Sequence, residues 1–302
     1  MAKLNRNKKL FITIEMACDK YMTYCKSKNL SKETLKAYEV ALTRLYTYLP
    51  EMPIDELTME NLYYFMDEFR QHHQYGVRST NNLYRNLNIF FGWCKRQGLI
   101  DKELKFDYQK QPKKLQPVPS TSEVRKLLIA PNIEDCNYNE FVGHCMTAIV
   151  VSLGLRISSI VALKTEDVDF KNNEIIVKTT KNKREYRMPM TKKLKKIIEN
   201  YLHYIESDSE YLFTTIKDTP ITSHLGSMNI IRYARSRGVE TSAHALRRYF
   251  ACEFMKSTGN IMALSRILMH SSVEITELYV ANLNIQSFSS ELEEHNPLDK
   301  LL

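Results

Sequence analysis

The sequence has little of what marks several common classes of protein. Its 302 residues include only 8 glycines, and none of them forms the glycine-rich loop that cradles nucleotide phosphates. No apolar run approaches the roughly 20 residues that are needed to cross a bilayer. We therefore expect a soluble protein with no ATP-binding site and no membrane partner.

Cysteines are present, but not in the pairs that bind zinc or exchange disulfides. None of the six cysteines lies in a C-x-x-C pair, so the sequence indicates neither a zinc site nor a thioredoxin-like motif. No other cluster of metal-binding residues is convincing, and we expect no metal and no other cofactor. The sequence shows no secretory signal, which together with the cysteine pattern predicts a reducing, cytoplasmic location.

Positive charge is in excess. The formal net charge is +8 and the pI is near 9.0, and residues 171–196 carry ten lysines and arginines against two glutamates. Clustered positive charge favours DNA binding, because it releases counterions from the phosphates. Solubility alone is the other explanation of a basic composition. From Ile285 onward the chain is acidic instead.

Helical periodicity dominates the first part of the chain. Ser31 has the position of an N-cap, and apolar residues follow it at the spacings of three and four that are typical of an amphipathic helix. Similar patterns predict a helix before Ser31, a third helix from about Thr58, and a fourth that ends before Gly98. We predict a helical domain over residues 1–108, followed by a linker over 109–119 that is rich in proline and lysine.

Residues 120–302 are predicted to form a second domain. A strongly apolar helix runs from Phe141 to Leu153, and Gly154 fits its C-terminal end. Two strands, Glu174 to Thr179 and Glu185 to Met190, are predicted to form an antiparallel hairpin. Helices with basic faces follow the hairpin. The predicted fold class is therefore mainly α with a small antiparallel β-sheet.

Residues 241–280 hold the side chains best suited to chemistry on a phosphate. His244 and Arg247 are three apart, so they share one face of a helix. His270 follows a predicted helix end, and Tyr279 lies near the end of the next apolar-periodic segment. Each of these residues alone is more often structural, since the chain has 18 tyrosines and 8 histidines. The four residues taken together, rather than any one of them, indicate a functional site.

The motifs and their order resemble those of one family. H-A-L-R, then L-M-H-S-S, then a tyrosine resemble the C-terminal signature of the tyrosine recombinases, also called the phage integrase family. Gly154-Leu155-Arg156-Ile157-Ser158 is similar to that family's first-arginine box. Lys181, at the tip of the predicted hairpin, stands eight residues before Pro189, as the family's catalytic lysine stands before its hairpin proline. Lys183 and Arg184 are nearby competitors for that role.

The resemblance implies a fold and an activity. An N-terminal helical core-binding (SAM-like) domain, signalled by L-S-K-E-T-L-K-A-Y, would precede a catalytic domain. The implied enzyme is a site-specific DNA recombinase of a Xer-like or mobile-element type, which cleaves and rejoins strands through a 3′-phosphotyrosyl intermediate without ATP or a metal. The implied catalytic residues are Arg156, Lys181 (general acid), His244, Arg247, His270 and Tyr279 (nucleophile).

The implied partner is double-stranded DNA. A homotetramer would hold two DNA sites, and accessory DNA-bending proteins are a further class of partner to consider. The residues expected to contact DNA are Arg78, Arg85, Lys95, Lys113, Lys114, Lys183, Arg184, Arg232 and Arg235. Two alternatives stay open: a DNA-relaxing enzyme of the topoisomerase IB type that works as a monomer, and a non-catalytic DNA-binding protein on the same scaffold. The compact helical first half favours the recombinase over the topoisomerase.

Three residues depart from the family pattern. Ser159 stands where the family usually has a carboxylate, Arg248 where a second histidine is common, and Met269 where a glycine usually precedes the later histidine. None of them removes a phosphate contact or the nucleophile. The missing carboxylate weakens support around the site, so we expect slower chemistry than in a fully matching relative. Ser159→Glu should then raise the cleavage rate.

Overall fold

The computed structural model describes residues 11–49, 51–72, 75–110, 117–178, 185–270, 272–281 and 283. The chain divides into two compact units, Met1–Lys113 and Lys114–Leu302, and the predicted linker over 109–119 spans that division. Several sequence predictions fall outside the described residues. These are the hairpin tip with Lys181, Lys183 and Arg184, the linker lysines Lys113 and Lys114, and the acidic segment from Ile285.

In unit 1, the described residues form four helices: α1 (Ile14–Ser27), α2 (Lys32–Tyr48), α3 (Met59–His72) and α4 (Val77–Arg96). The hydroxyl of Ser31 accepts a hydrogen bond from the backbone N–H of Thr34, which makes Ser31 the N-cap that the sequence predicts. The apolar faces of the helices meet in one core that includes Leu45, Phe65 and Phe90. Four amphipathic helices thus bury one common face, as their periodicity predicts.

In unit 2, the helices of the described residues are α5 (Thr121–Leu128), α6 (Tyr138–Leu153), α7 (Ile157–Ile160), α8 (Lys192–Tyr204), α9 (Ser223–Ser236), α10 (Ala243–Thr258), α11 (Ile261–Ile267) and α12 (Val273–Val280). Helix α6 is the predicted apolar helix, and it packs against α8, α9 and α10. Gly154 ends it with a left-handed backbone, at φ +62°. Because α6 is buried on all sides, the residues that directly follow it are held in a fixed position.

A small sheet completes unit 2. Its strands are β1 (Val168–Asp169), β2 (Glu174–Lys178) and β3 (Glu185–Pro189), in the order β1-β2-β3 with antiparallel pairing. The predicted hairpin is confirmed, with Ile175 opposite Met188. Strand β1 was not predicted, because two residues are too few to show a period of two. The fold class, mainly α with a small antiparallel sheet, is confirmed. None of the described helices has the length and apolar content to cross a membrane.

Candidate active site

Four of the six predicted catalytic residues line one cleft in unit 2. The cleft has a volume of about 320 Å³, and Arg156, His244, Arg247 and Tyr279 are among its lining residues. His270 lies next to it, in contact with both Arg247 and Tyr279. The sixth predicted residue, Lys181, lies outside the described part of the chain.

The ring of Tyr279 is the point at which the other side chains meet. Its centroid lies 5.2 Å from the imidazole of His244 and 4.9 Å from that of His270. The guanidinium carbon of Arg247 lies 5.5 Å from the same centroid. The residue is 9% exposed, and the Cys252 thiol donates to its backbone carbonyl at 3.6 Å. Helix α12 therefore holds the phenol in a surrounding of two imidazoles and a cation.

Arg247 is a buried cation, with 2% of its surface exposed. It lies on α10 one turn after His244, and its guanidinium donates to the carbonyl oxygen of Gly154, to that of Leu268 at 2.7 Å, and to Nε2 of His270 at 3.0 Å. Its Nε has no hydrogen-bond partner among the described residues. Burial, together with the positive charge of Arg156, lowers the pKa of Arg247 to about 10. The group is therefore charged at neutral pH, and the Nε–H is among the donors that remain for another acceptor.

The turn after α6 brings the two arginines together. Gly154 supplies a carbonyl to Arg247, and a Cβ at this position would stand 2.8 Å from a methyl group of Leu268. Arg156 follows as the N-cap residue of α7. The left-handed backbone and the close approach both require glycine here. The family-like G-L-R sequence thus has a physical basis in this turn.

Arg156 is exposed, unlike Arg247. Its Nη1 donates to the carbonyl oxygens of Leu268 and Met269, each at 3.3 Å. The Leu268 carbonyl therefore accepts hydrogen bonds from both arginines. Met269 has a φ of +52°, a left-handed conformation that favours glycine, and this is the position at which the family usually has one.

His270 is hydrogen-bonded through both ring nitrogens. Nε2 lies 3.0 Å from Nη2 of Arg247, and Nδ1 lies 2.9 Å from the hydroxyl of Thr276. Burial, then the positive charges of Arg247 and Arg156, lower its pKa to about 4. The imidazole is therefore neutral at physiological pH.

Three groups that bind Arg247 or His270 in this network were not predicted from the sequence: the Thr276 hydroxyl and the carbonyls of Gly154 and Leu268. Thr276 lies one helical turn before Tyr279 on α12, and that spacing was a readable signal. No side-chain pattern marks the two carbonyls, because they act through the backbone.

The departures from the family pattern take different structural roles. Arg248 is 6% exposed, and its Nε and Nη2 donate to the carbonyl oxygen of Pro117 at 3.3 and 3.2 Å. It therefore ties α10 to the first residues of unit 2 that the structure describes. Ser159 is half-buried on α7, and its backbone N–H donates to the Arg156 carbonyl at 2.9 Å.

The predicted DNA-contact residues that the structure describes all lie on helix surfaces. Arg78, Arg85 and Lys95 are exposed on α4, and Arg232 and Arg235 are exposed on α9. The Nε of Arg235 is paired with a carboxylate oxygen of Glu240 at 3.0 Å. Over the ranges that the structure describes, no group of three or more His, Cys, Asp or Glu side chains is placed to hold a metal ion.

Known proteins with similar sequences are tyrosine recombinases. Tyrosine recombinase XerA of Pyrococcus furiosus is 26% identical over 290 residues, which cover 94% of this chain and 95% of that protein. Tyrosine recombinase XerD of Pseudomonas aeruginosa is 26% identical over 235 residues, or 74% of this chain and 77% of that protein.

Solved structures of integrases share the fold. A lambda integrase tetramer bound to a Holliday junction matches with a TM-score of 0.74 at 15% identity, covering 91% of this chain and 80% of that chain. The Tn1549 transposon integrase in complex with circular intermediate DNA matches with a TM-score of 0.74 at 20% identity, covering 94% and 99%.

Two family models account for most of the sequence. The model of the phage integrase N-terminal SAM-like domain matches residues 18–101, and the model of the phage integrase family matches residues 120–284. The second match alone spans more than half of the 302 residues. The chain therefore belongs to the phage integrase family, the tyrosine recombinases.

Proposed function

We propose that Tyr279 is the nucleophile with which this tyrosine recombinase, an enzyme of site-specific DNA recombination, cleaves a DNA strand. One observation carries the proposal. The centroid of the Tyr279 ring lies 5.2 Å from the centroid of the His244 ring and 4.9 Å from that of the His270 ring. It lies 5.5 Å from Cζ of Arg247. A phenol, two imidazoles and a cation in one cleft suit attack on a phosphodiester, in which negative charge grows on the phosphate oxygens.

In the proposed step, the Tyr279 oxygen attacks phosphorus and the bond to the 5′-oxygen breaks. The phenolic proton passes to His244, which is exposed at the cleft. Arg156 and Arg247 bind the non-bridging oxygens, since guanidinium groups offer forked donors that stay charged. The product is a 3′-phosphotyrosyl link, which stores the energy of the broken bond. A free 5′-hydroxyl reverses the attack, so the cycle consumes no ATP.

The leaving 5′-oxygen needs a proton, and Lys181 is the proposed donor. Strand β2 ends at Lys178 and β3 begins at Glu185, and these two residues are paired. Lys181 thus belongs to the connection between paired strands of one hairpin. Neighbouring arginines would favour the neutral amine after the proton has left.

DNA binding is proposed for the exposed basic residues of both units. Arg78 and Arg85 are seven apart on α4, so they lie on one face and can follow a phosphate backbone. Arg232 and Arg235 on α9 are proposed for the same role, in which phosphate replaces Glu240 as the partner of Arg235. Lys95, Lys113, Lys114, Lys183 and Arg184 complete the proposed set.

The proposed assembly is a homotetramer that holds two DNA sites. Lambda integrase, which shares the fold, forms a tetramer on a Holliday junction, and the Tn1549 integrase comes from a transposon. These structures support a tetramer and a mobile-element substrate for this chain. Accessory DNA-bending proteins would assist it. The six free cysteines suit the reducing cytoplasm in which we place the enzyme.

The proposal is tested with a nicked DNA site that traps the cleaved state. Wild-type protein should form a covalent adduct with the DNA in the presence of a chelator. Tyr279→Phe should form none, whereas the matched control Tyr249→Phe, which loses a hydroxyl bonded to Thr121 elsewhere in unit 2, should react normally. An adduct in Tyr279→Phe would refute the proposal. Relaxation of plasmids without any specific site would support the topoisomerase instead.

A further inference from the structure

The two hydrogen bonds of His270 determine which nitrogen carries its proton. An arginine guanidinium has donors only, so the group 3.0 Å from its Nη2 must accept. Nε2 of His270 is therefore unprotonated. The neutral ring then carries its proton on Nδ1, which donates to the Thr276 hydroxyl at 2.9 Å.

The surroundings of the ring favour this neutral form. The charged groups near His270 are Arg247 and Arg156, and His244 also disfavours a second proton on the ring. Tyr279 packs against the ring of His270 in a tilted arrangement, with 4.9 Å between the centroids. Among the residues that the structure describes, no carboxylate contributes to the lowered pKa of His270. The ring in the DNA-free protein is therefore an acceptor for Arg247.

A ring of that tautomer cannot donate from Nε2 to a phosphate. Such a donor is the role we assign to His270 in the proposed function, in which it would bind a non-bridging oxygen once the phosphate replaces Nε2 as an acceptor for Arg247. The other tautomer, with the proton on Nε2, needs a donor for its bare Nδ1. A hydroxyl is suited to both states, since it can accept a hydrogen bond from Nδ1–H or donate one to bare Nδ1.

Thr276 is well placed to serve as that hydroxyl. Its side chain is fully buried, with 0% exposure, and it lies on α12 one turn before Tyr279. A threonine in a helix is largely restricted to two χ1 rotamers, so its oxygen has few positions to choose from. The same helix thus carries both the nucleophile and the partner of His270.

We propose that Thr276 is a positioning residue that, together with Arg247, holds His270 as the Nδ1–H tautomer in the DNA-free protein and, by reversing its own hydrogen bond, supports the Nε2–H tautomer when a phosphate binds. The change moves one proton from Nδ1 to Nε2 through solvent, so the charge of the ring is unchanged. The second half of the proposal rests on the proposed function, whereas the first half concerns the free protein alone.

The DNA-free tautomer is measured by NMR of protein labelled with ¹⁵N-histidine. The signals of His270 are assigned by their absence from the His270→Gln variant. We expect a protonated Nδ1 and a bare Nε2 in wild type and in Thr276→Ser, which keeps the hydroxyl. Thr276→Val should keep the proton on Nδ1, because Arg247 still donates to Nε2, but the Nδ1–H loses its acceptor and its proton signal should move upfield. Thr147→Val is the matched control, because Thr147 is equally buried and has no hydrogen-bond partner among the described residues.

Cleavage of the nicked site tests the second half. Thr276→Val should lower the single-turnover rate by about 10- to 100-fold, the effect typical of removing the partner that orients a functional histidine. Its affinity for DNA should stay within about twofold of wild type, and Thr276→Ser and Thr147→Val should cleave within about threefold. A merely structural role would lower the rates of Thr276→Ser and Thr147→Val as well.

Several outcomes separate this proposal from the proposed function. An Nε2–H ring in the wild-type DNA-free protein would overturn the inference without the need for any variant. So would a Thr276→Val protein that is folded and cleaves at the wild-type rate. If wild type shows the expected tautomer but forms no adduct with DNA, the tautomer assignment stands and the proposed function fails.

Discussion

The two arginines of the cleft differ in how the protein holds them. Arg247 is 2% exposed and donates to the carbonyl of Gly154, to that of Leu268 at 2.7 Å, and to His270 at 3.0 Å. Arg156 is exposed and makes two longer contacts of 3.3 Å. Both share the carbonyl of Leu268. The first is part of the core, and the second is part of the surface.

The two arginines therefore contribute to the site in different ways. Arg247 has lost its hydration on folding, so a phosphate meets a fixed positive charge that needs little reorganisation. Arg156 keeps its hydration until DNA binds, and it can move towards the phosphate. Replacement of Arg247 or of the residues that hold it should therefore cost stability as well as activity. Replacement of Arg156 should cost activity alone.

The largest expected effect comes from replacing each arginine with lysine. Arg247→Lys should slow cleavage by about 10³-fold, since losing even one preorganised donor costs 10²–10³-fold. It should also destabilise unit 2 by about 2–4 kcal/mol, because a single nitrogen cannot reach three buried acceptors that are placed around a planar guanidinium. Arg156→Lys should slow cleavage by about 10²-fold and change stability by less than about 0.5 kcal/mol. Single-turnover rates and urea unfolding measure both quantities. Equal losses of stability in Arg247→Lys and Arg156→Lys would contradict the distinction between a buried and an exposed arginine.

The next effect comes from the turn at Gly154, whose carbonyl accepts a hydrogen bond from Arg247. Gly154→Ala places a Cβ against Phe250 and 2.8 Å from Leu268, at a φ of +62°. We expect a destabilisation of about 2–4 kcal/mol, from overpacking and left-handed strain together. Gly238→Ala is the matched control, because its φ is +69° and nothing lies within 4 Å of the added Cβ. It should cost only about 1 kcal/mol in urea unfolding, and similar costs for the two variants would contradict the account.

The titration of His270 gives a smaller, pH-dependent effect. Its pKa falls from an ordinary 6.5 to about 4 on folding, so between these values the unfolded chain binds a proton that the folded protein does not. Stability from this residue is therefore full above pH 6.5 and is lost as the pH falls to about 4. Relative to His270→Gln, wild type should lose about 1–2 kcal/mol of unfolding free energy between pH 7 and pH 4, after allowance for the half-exposed ring. A difference that stays constant with pH would refute the shift.

The smallest effect concerns Met269, whose φ is +52°. Met269→Gly and Met269→Ala lose the same packing, but only alanine keeps a Cβ in the left-handed region. Glycine should therefore be more stable than alanine here by about 1 kcal/mol, measured by urea unfolding. If Met269→Ala is the more stable of the two, the left-handed backbone at this position does not destabilise the protein.

Local features of the fold were predictable from the sequence, because their causes lie within a few residues. The N-cap at Ser31 and the helix end at Gly154 depend on neighbouring residues, and both predictions were confirmed. The two strands of the hairpin were also found within one residue of their ends.

The network inside the site was not predictable in the same way. Arg247 and the Gly154 carbonyl are 93 residues apart, and Arg156 and the Leu268 carbonyl are 112 apart. Such contacts depend on how α6, α10 and the turn before α12 pack, which no local pattern encodes. Backbone acceptors have no side-chain signature at all. The candidate residues could be named from the motifs, but their hydrogen-bond partners needed the fold.

The most direct test is to identify the residue that becomes attached to DNA. Wild-type protein is trapped on a nicked site, digested with protease, and the nucleotide-bearing peptide is sequenced by mass spectrometry. We expect the nucleotide on the oxygen of Tyr279, joined through a 3′-phosphate. Attachment to any other residue, or a trapped cleavage product with no covalent link to the protein, would contradict the account.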